Sequence, residues 1–292
     1  VERVGLHDGF FALGGHSLLA MRLLARLREQ TGCSLPLRAL FEHPSPQGLA
    51  VQLAGLTADR GPPLTSGPGR LGDGRVVLSY GQQRLWTLDR LEGGSASYNM
   101  PMAVRLRGRL DVSALGQSIA ALVGRHEALR TVIVEGDDGV PEGRLLPAPS
   151  AETVLPVTDL SSAGDVEGAV RDFIAAEAAR PFDLTVDYAL RGSLLRLGPA
   201  EMVFMLTVHH HASDGLSVDV LLRELAAAYG AYCAGDTPDL PALPVQYSDW
   251  AAWQRACLAT GLDEKVARAR DRLSLSPACL DLPLDQPRRG DR

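Results

Sequence analysis

One stretch limits the folds open to this chain more than any other. Met202 to Val208 is short, rich in Val, Phe and Leu, and apolar on both faces of an extended segment, which predicts a central strand covered on both sides. It runs directly into His209-His210-His211-Ala212-Ser213-Asp214-Gly215. Beyond that, Val218, Leu221, Leu222 and Leu225 recur at helical spacing and place Asp214 and Gly215 at a helix N-terminus. Such a strand-loop-helix joint supplies fixed backbone N–H groups, a positive dipole end and an imidazole able to exchange a proton near neutral pH. A lone histidine at a strand end is ordinarily a core or loop residue, whereas three in succession followed by Asp-Gly are out of the ordinary. Consecutive side chains of an extended segment point to opposite sides, so the three rings cannot converge on one zinc ion and no metal is expected.

Composition narrows the classes further. With 292 residues, 46% hydrophobic and 22% charged, the chain has room for one large or two modest globular domains. A net charge of −6 without a Lys/Arg block argues against nucleic acid or an anionic membrane as the main partner. No apolar run approaches membrane-spanning length, and Val1-Glu2-Arg3-Val4 does not read as a signal peptide. Cys33, Cys233, Cys257 and Cys279 lack metal-ligand or redox spacing, so free thiols in a cytoplasmic setting are expected.

Residues 7 to 55 read as a compact helical unit. Gly14-Gly15 precede a helix opened by Ser17, with Ala20, Leu23, Leu24 and Leu27 on one face; taken alone, Ser17 reads as an N-cap. Ser45-Pro46 opens a last short helix through Leu53. From 56 to 75 the composition shifts to Gly, Pro, Ser and Thr, predicting a linker stiffened by its prolines. Then follow a strand over Ala103–Leu106, a helix with Leu115, Ile119 and Leu122 in line and Asp111 as cap, and a helix over Val166–Ala179. Leu190–Leu197 and Met202–Val208 pair across Gly198-Pro199.

Several separated motifs, in order, carry a family resemblance that covers nearly all of the chain. His209-His210-x-x-x-Asp214-Gly215 resembles the HHxxxDG signature of nonribosomal peptide synthetase condensation domains, relatives of chloramphenicol acetyltransferase. Leu78-Ser79-Tyr80-Gly81-Gln82-Gln83-Arg84-Leu85-Trp86 resembles their first core motif and Arg125-His126-Glu127-Ala128-Leu129-Arg130-Thr131 their second. Arg180-Pro181-Phe182-Asp183-Leu184 and the stretch from Gln246 to Gln254 are similar to further family segments, although the aromatics of the latter read equally as packing. Asp281 to Arg288 resembles the linker at which a second lobe begins. Ahead of all these, Asp8 to Leu18 resembles the thiolation motif of peptidyl carrier proteins.

The resemblance implies a small all-α carrier, a helix bundle over 1–55 lacking its first helix, then the 56–75 linker. The N-terminal lobe of a condensation domain follows over 76–292, an α/β lobe of chloramphenicol-acetyltransferase type with a mixed or antiparallel sheet and without its second lobe. It implies 4′-phosphopantetheine on Ser17, attached by a phosphopantetheinyl transferase, with an upstream adenylation domain and a downstream acceptor carrier as partners. His210 becomes the residue facing the reaction channel, as general base or as a positioning group, supported by His209, Asp214 and Gly215. Asp214 is expected to pair with a buried arginine, Arg130 before Arg125, and Gly215 to permit a tight turn or close backbone approach. His211 stands where the family usually has an apolar residue; it is either structural or a sign of elimination or cyclisation chemistry of β-lactam-forming type. The wording from Leu88 to Asn99 resembles the subclass taking a donor of D configuration. An epimerisation domain and an inactive recruitment platform are the alternative readings.

Overall fold

The computed structural model describes residues 3–56, 62–259, 262–274 and 276. The stretch at 281–288 singled out above, and Cys279, lie outside the described residues.

The N-terminal unit consists of α1 (Ser17–Thr31), α2 (Leu37–Glu42) and α3 (Pro46–Ala54) around Ala20, Leu35, Ala39, Leu40 and Leu49. Local sequence marks the ends of two of them. Gly32 closes α1 in the left-handed region at φ 69°, and Ser45 Oγ accepts from Gly48 N at 3.2 Å with Pro46 at the first position of α3.

The lobe begins earlier than its composition predicts. β1 (Arg70–Gly72) lies inside the stretch expected to be linker and pairs antiparallel with β2 (Arg75–Val76) at its end, and β2 goes on to pair with β5 (Pro141–Leu145). With β4 (Thr131–Glu135) these make a sheet of order β1-β2-β5-β4. Asp249 holds the segment leading into β1: the buried residue's Oδ1 accepts from Gly67 N at 2.8 Å and Gly69 N at 3.1 Å. A Cβ on Gly69 would lie 2.1 Å from the Ser248 carbonyl carbon, so only glycine lets the two segments approach this closely.

Next come α4 (Tyr80–Glu92), β3 (Asn99–Arg107), α5 (Val112–Arg125), a 3₁₀ turn over Glu127–Arg130 leading into β4, α6 (Ala151–Val154), β6 (Val157–Asp159) and α7 (Val166–Ala179). A reciprocal cap starts α4: Gln82 N donates to Ser79 Oγ at 3.1 Å and Ser79 N to Gln82 Oε1 at 3.0 Å. Asp111 caps α5 and Asp165 caps α7. After β7 (Leu190–Gly198) and β8 (Glu201–His209) the chain enters α8 (Gly215–Ala234), α9 (Tyr247–Ala259) and α10 (Leu262–Ser274).

The second sheet has the order β3-β8-β7-β6, antiparallel except for the parallel β6–β7 pair, and is therefore mixed. β8 lies between β3 and β7, as its apolar sequence requires. On one face Phe204, Leu206 and Val208 pack with Ile119, Leu122, Leu221 and Leu225 of α5 and α8; on the other, Val203 and Leu195 meet Val170 of α7. β3 is longer than the predicted 103–106, because β8 offers it partners from Glu201 to His209. Pro101 hides its start in the sequence, and an edge strand tolerates a residue that cannot donate.

Candidate active site

The histidines sit where β8 ends. His209 N donates to Ala189 O at 2.8 Å and His210 N to Tyr98 O at 2.9 Å, so the backbone leaves the sheet still tied to the flanking chain. Ala212 N then closes a turn on His209 O at 3.0 Å. This geometry splits the three rings. His209 and His211 are 1% and 5% exposed, while His210 is exposed.

A carbonyl can only accept, and that fixes the exposed ring. His210 Nδ1 stands 2.7 Å from Ser213 O and must carry the proton, so a neutral His210 presents Nε2 as a lone pair. The buried pair obeys the same logic. His211 Nε2 lies 3.2 Å from Thr131 O and is the protonated nitrogen, while its Nδ1 stands 2.8 Å from His209 Nδ1, to which the His211 backbone amide also donates at 3.2 Å. Phe182 meets the His209 ring edge-on at 5.6 Å between centroids. His211 thus ties the end of β8 to the start of β4.

Burial, with His211, His210 and Arg191 nearby, pushes His209 down to about 3; burial, opposed by the Thr131 carbonyl, pushes His211 down to about 4. Folded values below the unfolded one mean that this stability is complete above about pH 6.5 and is lost as the pH falls toward 4 and then 3. Each ring contributes a slope of up to about 1.4 kcal/mol per pH unit in that window. The urea midpoint of the chain is expected to fall steadily between pH 6.5 and about 5.5, above the range in which ordinary carboxylates titrate. His211→Leu should flatten that slope, and a midpoint flat over the window would contradict a buried neutral pair.

Asp214 is the N-cap of α8. Its Oδ1 accepts from Ser217 N at 2.8 Å and Ser217 Oγ at 2.6 Å. Burial raises its carboxyl pKa, but the Ser217 hydroxyl and amide, the Leu216 amide and His210 outweigh that and hold it below the ordinary value. The expected arginine pairing is not formed. Arg130 donates to Leu146 O at 2.7 Å and lies 3.4 Å from Glu127, while Arg125 reaches Glu224 at 3.1 Å. The reason is local: a carboxylate at a helix start finds its donors within three residues, whereas both arginines leave the end of α5 and its 3₁₀ turn toward other acceptors. Of the two roles expected for Gly215, the tight turn is not required: it has no positive φ, and a Cβ there would meet nothing within 4 Å. Ser213, Thr131 and Ser217 are the participants that sequence reasoning missed; of these only Ser217, three residues after a capping Asp, left a signal.

In the N-terminal unit Ser17 is the first residue of α1 and is exposed. The cap position belongs to His16, whose side chain does not cap, so Ser17 is not the cap expected from its type. The preceding loop is wound on Phe10: Gly15 N donates to Phe10 O at 2.9 Å, and a Cβ on Gly15 would come within 2.4 Å of the Phe10 ring. Gly14 adopts φ 89°. The result is a free hydroxyl at the positive end of a helix that no side chain caps.

A family model described as the condensation domain matches residues 73–285, nearly three-quarters of the chain, and one described as the phosphopantetheine attachment site matches residues 1–51. The chain belongs to the condensation-domain family of nonribosomal peptide synthetases. Its carrier region and condensation lobe align together with one of the linear gramicidin synthase polypeptides of Brevibacillus parabrevis, 42% identical over 99% of this chain, and with the dimodular nonribosomal peptide synthase of Bacillus subtilis, 40% identical over 99%. The chain spans 4% of the first and 12% of the second. Among solved structures, the X-domain from teicoplanin biosynthesis matches with TM-score 0.66 and 32% identity, over 78% of this chain and 49% of that one. The first condensation domain of the calcium-dependent antibiotic synthetase matches with TM-score 0.60 and 22% identity, over 70% of this chain and 50% of that one, which shows the shared fold.

The carrier region fits its group. A 4′-phosphopantetheine carried on the exposed Ser17 hydroxyl would place its phosphodiester beside the free amides of α1, where an anion is favoured. When bound, that arm supplies a thiol on which acyl groups are held as thioesters. Among the described residues no group of three or more His, Cys, Asp or Glu side chains forms a metal cluster. Likewise, no helix among them is long and apolar enough to cross a membrane.

Proposed function

We propose that the condensation lobe is a transferase that forms an amide bond between a carrier-bound acyl donor and the α-amine of an aminoacyl group on a downstream acceptor carrier. The new C–N bond replaces the donor's C–S bond, and the amine proton leaves with the departing sulfur. The donor acyl carbon is already activated, so the lobe's residues mainly align the amine and manage its proton. The observation that carries this reading is the His210 ring: Ser213 O holds Nδ1–H, and Nε2 is left as an acceptor on the exposed side of the lobe. Asp214 fixes the start of α8 on which that loop rests, and the buried His209–His211 pair supports the strand end. We place His211 in this supporting role, and not in elimination or cyclisation chemistry, because its ring nitrogens are occupied by His209 and Thr131.

A phosphopantetheinyl transferase, an upstream adenylation domain and a downstream acceptor carrier are the partners this reading requires. The free thiols of Cys33, Cys233 and Cys257 suit a reducing cytoplasm. The test is a complete synthetase containing this chain, given matched carrier-bound donor and acceptor: amide product is expected. Exchange of the donor α-proton without acceptor, and no amide, would instead favour epimerisation. A second reading, a recruitment platform, draws on the 32% identity to the teicoplanin X-domain, which has been solved in complex with OxyB. Under that reading the chain would bind a second enzyme and yield no amide.

A further inference from the structure

The linker and the carrier meet the condensation lobe at one side chain. Trp253 of α9 donates its indole N–H to Pro62 O at 2.5 Å, and the Arg28 guanidinium of α1 stands 5.7 Å from the centre of the same ring. Farther along α1, Arg22 pairs with Asp219 of α8 at 2.8 Å. Downstream of Pro62, Gly67 and Gly69 are held by Asp249, one turn before Trp253 on α9. The tether is therefore fastened from Pro62 onward, and five residues separate Pro62 from Leu56. That length lets Leu56 stand at most roughly 20 Å from Pro62. The carrier is confined to the α8–α9 side of the lobe, the side on which α8 leaves the histidine loop.

We propose that Asp219 and Trp253 form a docking surface for the chain's own carrier, reached through Arg22 and Arg28 of α1, with Trp253 coupling the dock to the linker. The proposal rests on reading residues 1–55 as the carrier. The chemistry suits reversible docking. Arg22 and Asp219 are 51% and 55% exposed, and a single exposed ion pair is weak in water. A guanidinium over a partly exposed indole adds a second weak contact. Neither would hold a free partner, but a short tether keeps the carrier at an effective concentration in roughly the millimolar range. Weak contacts under such confinement let the carrier leave and return, which a shuttling domain needs.

The test uses the whole 292-residue chain and nuclear relaxation of its backbone amides. In the wild type the amides of α1 to α3 should tumble with the condensation lobe. Arg22→Asp and Asp219→Arg should each lower the docked-to-free ratio by about 3- to 10-fold, seen as faster carrier tumbling, and raised salt should act in the same direction. The double reversal, Arg22→Asp with Asp219→Arg, should restore slow tumbling. Trp253→Phe keeps the ring under Arg28 but removes the donor to Pro62, and should loosen the linker more than the dock. Independent tumbling of the wild-type carrier, or a double reversal no better than the singles, would overturn the proposal. The readout needs neither a loaded arm nor condensation. A negative tumbling result with Ser17 still loaded would overturn the dock and leave the transferase reading standing, whereas failure to load Ser17 would remove the carrier reading on which the dock rests.

Discussion

Replacing His210 by alanine is expected to reduce amide formation by about 10²- to 10⁴-fold in the complete synthetase, the range covered by losing a positioned general base. The geometry makes the substitution informative. His210 is exposed, its backbone N–H remains bonded to Tyr98 O, and its ring hydrogen bond goes to the carbonyl of Ser213, three residues on. Removing the imidazole deletes no core packing, so the lobe should fold unchanged and the loss should appear in turnover. Turnover on matched carrier-bound substrates equal to the wild type would remove His210 from the reaction.

The second large effect is expected at Ser17. Intact-mass measurement after treatment with a phosphopantetheinyl transferase and coenzyme A should show one added arm in the wild type and none in Ser17→Ala. Here too the fold keeps the test clean. His16, not Ser17, occupies the cap position, and Ser17 lies outside the hydrophobic cluster of the carrier. Alanine is the better helix former at the first helical position, so the variant carrier should be at least as stable. Persistence of the arm in Ser17→Ala would overturn the assignment and, with it, delivery of acyl groups by this carrier.

Local signals were sufficient for the elements that bear the site. The apolar run over 202–208 required a strand covered on both faces and so placed β8 in the sheet interior. The caps at Asp111 and Ser45 and the periodicity over Val166–Ala179 stood where the helices begin and run. What failed did so for reasons of distance. Gly, Pro and Ser over 56–75 look like free linker because composition reports only local preference, while the Gly67–Gly69 segment leading into β1 is held by a residue about 180 positions away. An arginine partner for Asp214 is implied by the family resemblance and by no local pattern in this sequence. The backbone at the start of α8 satisfies that carboxylate sooner, within three residues.

Reading residues in order was enough to establish which side chains stand at the end of the buried strand, that a helix follows them, and that a serine opens the first helix of the leading unit. These are properties of neighbours, set by periodicity and capping. The task of each histidine is assigned by folding instead. The rings of His209 and His211 share the inner side of the turn, and the Thr131 carbonyl, brought from a different sheet, meets one of them. His210 is turned outward, and the carbonyl of Ser213 dictates which of its nitrogens is free. Proton placement on an imidazole depends on the acceptor opposite it, and for the buried pair that acceptor comes from 80 residues away, beyond the reach of any local pattern.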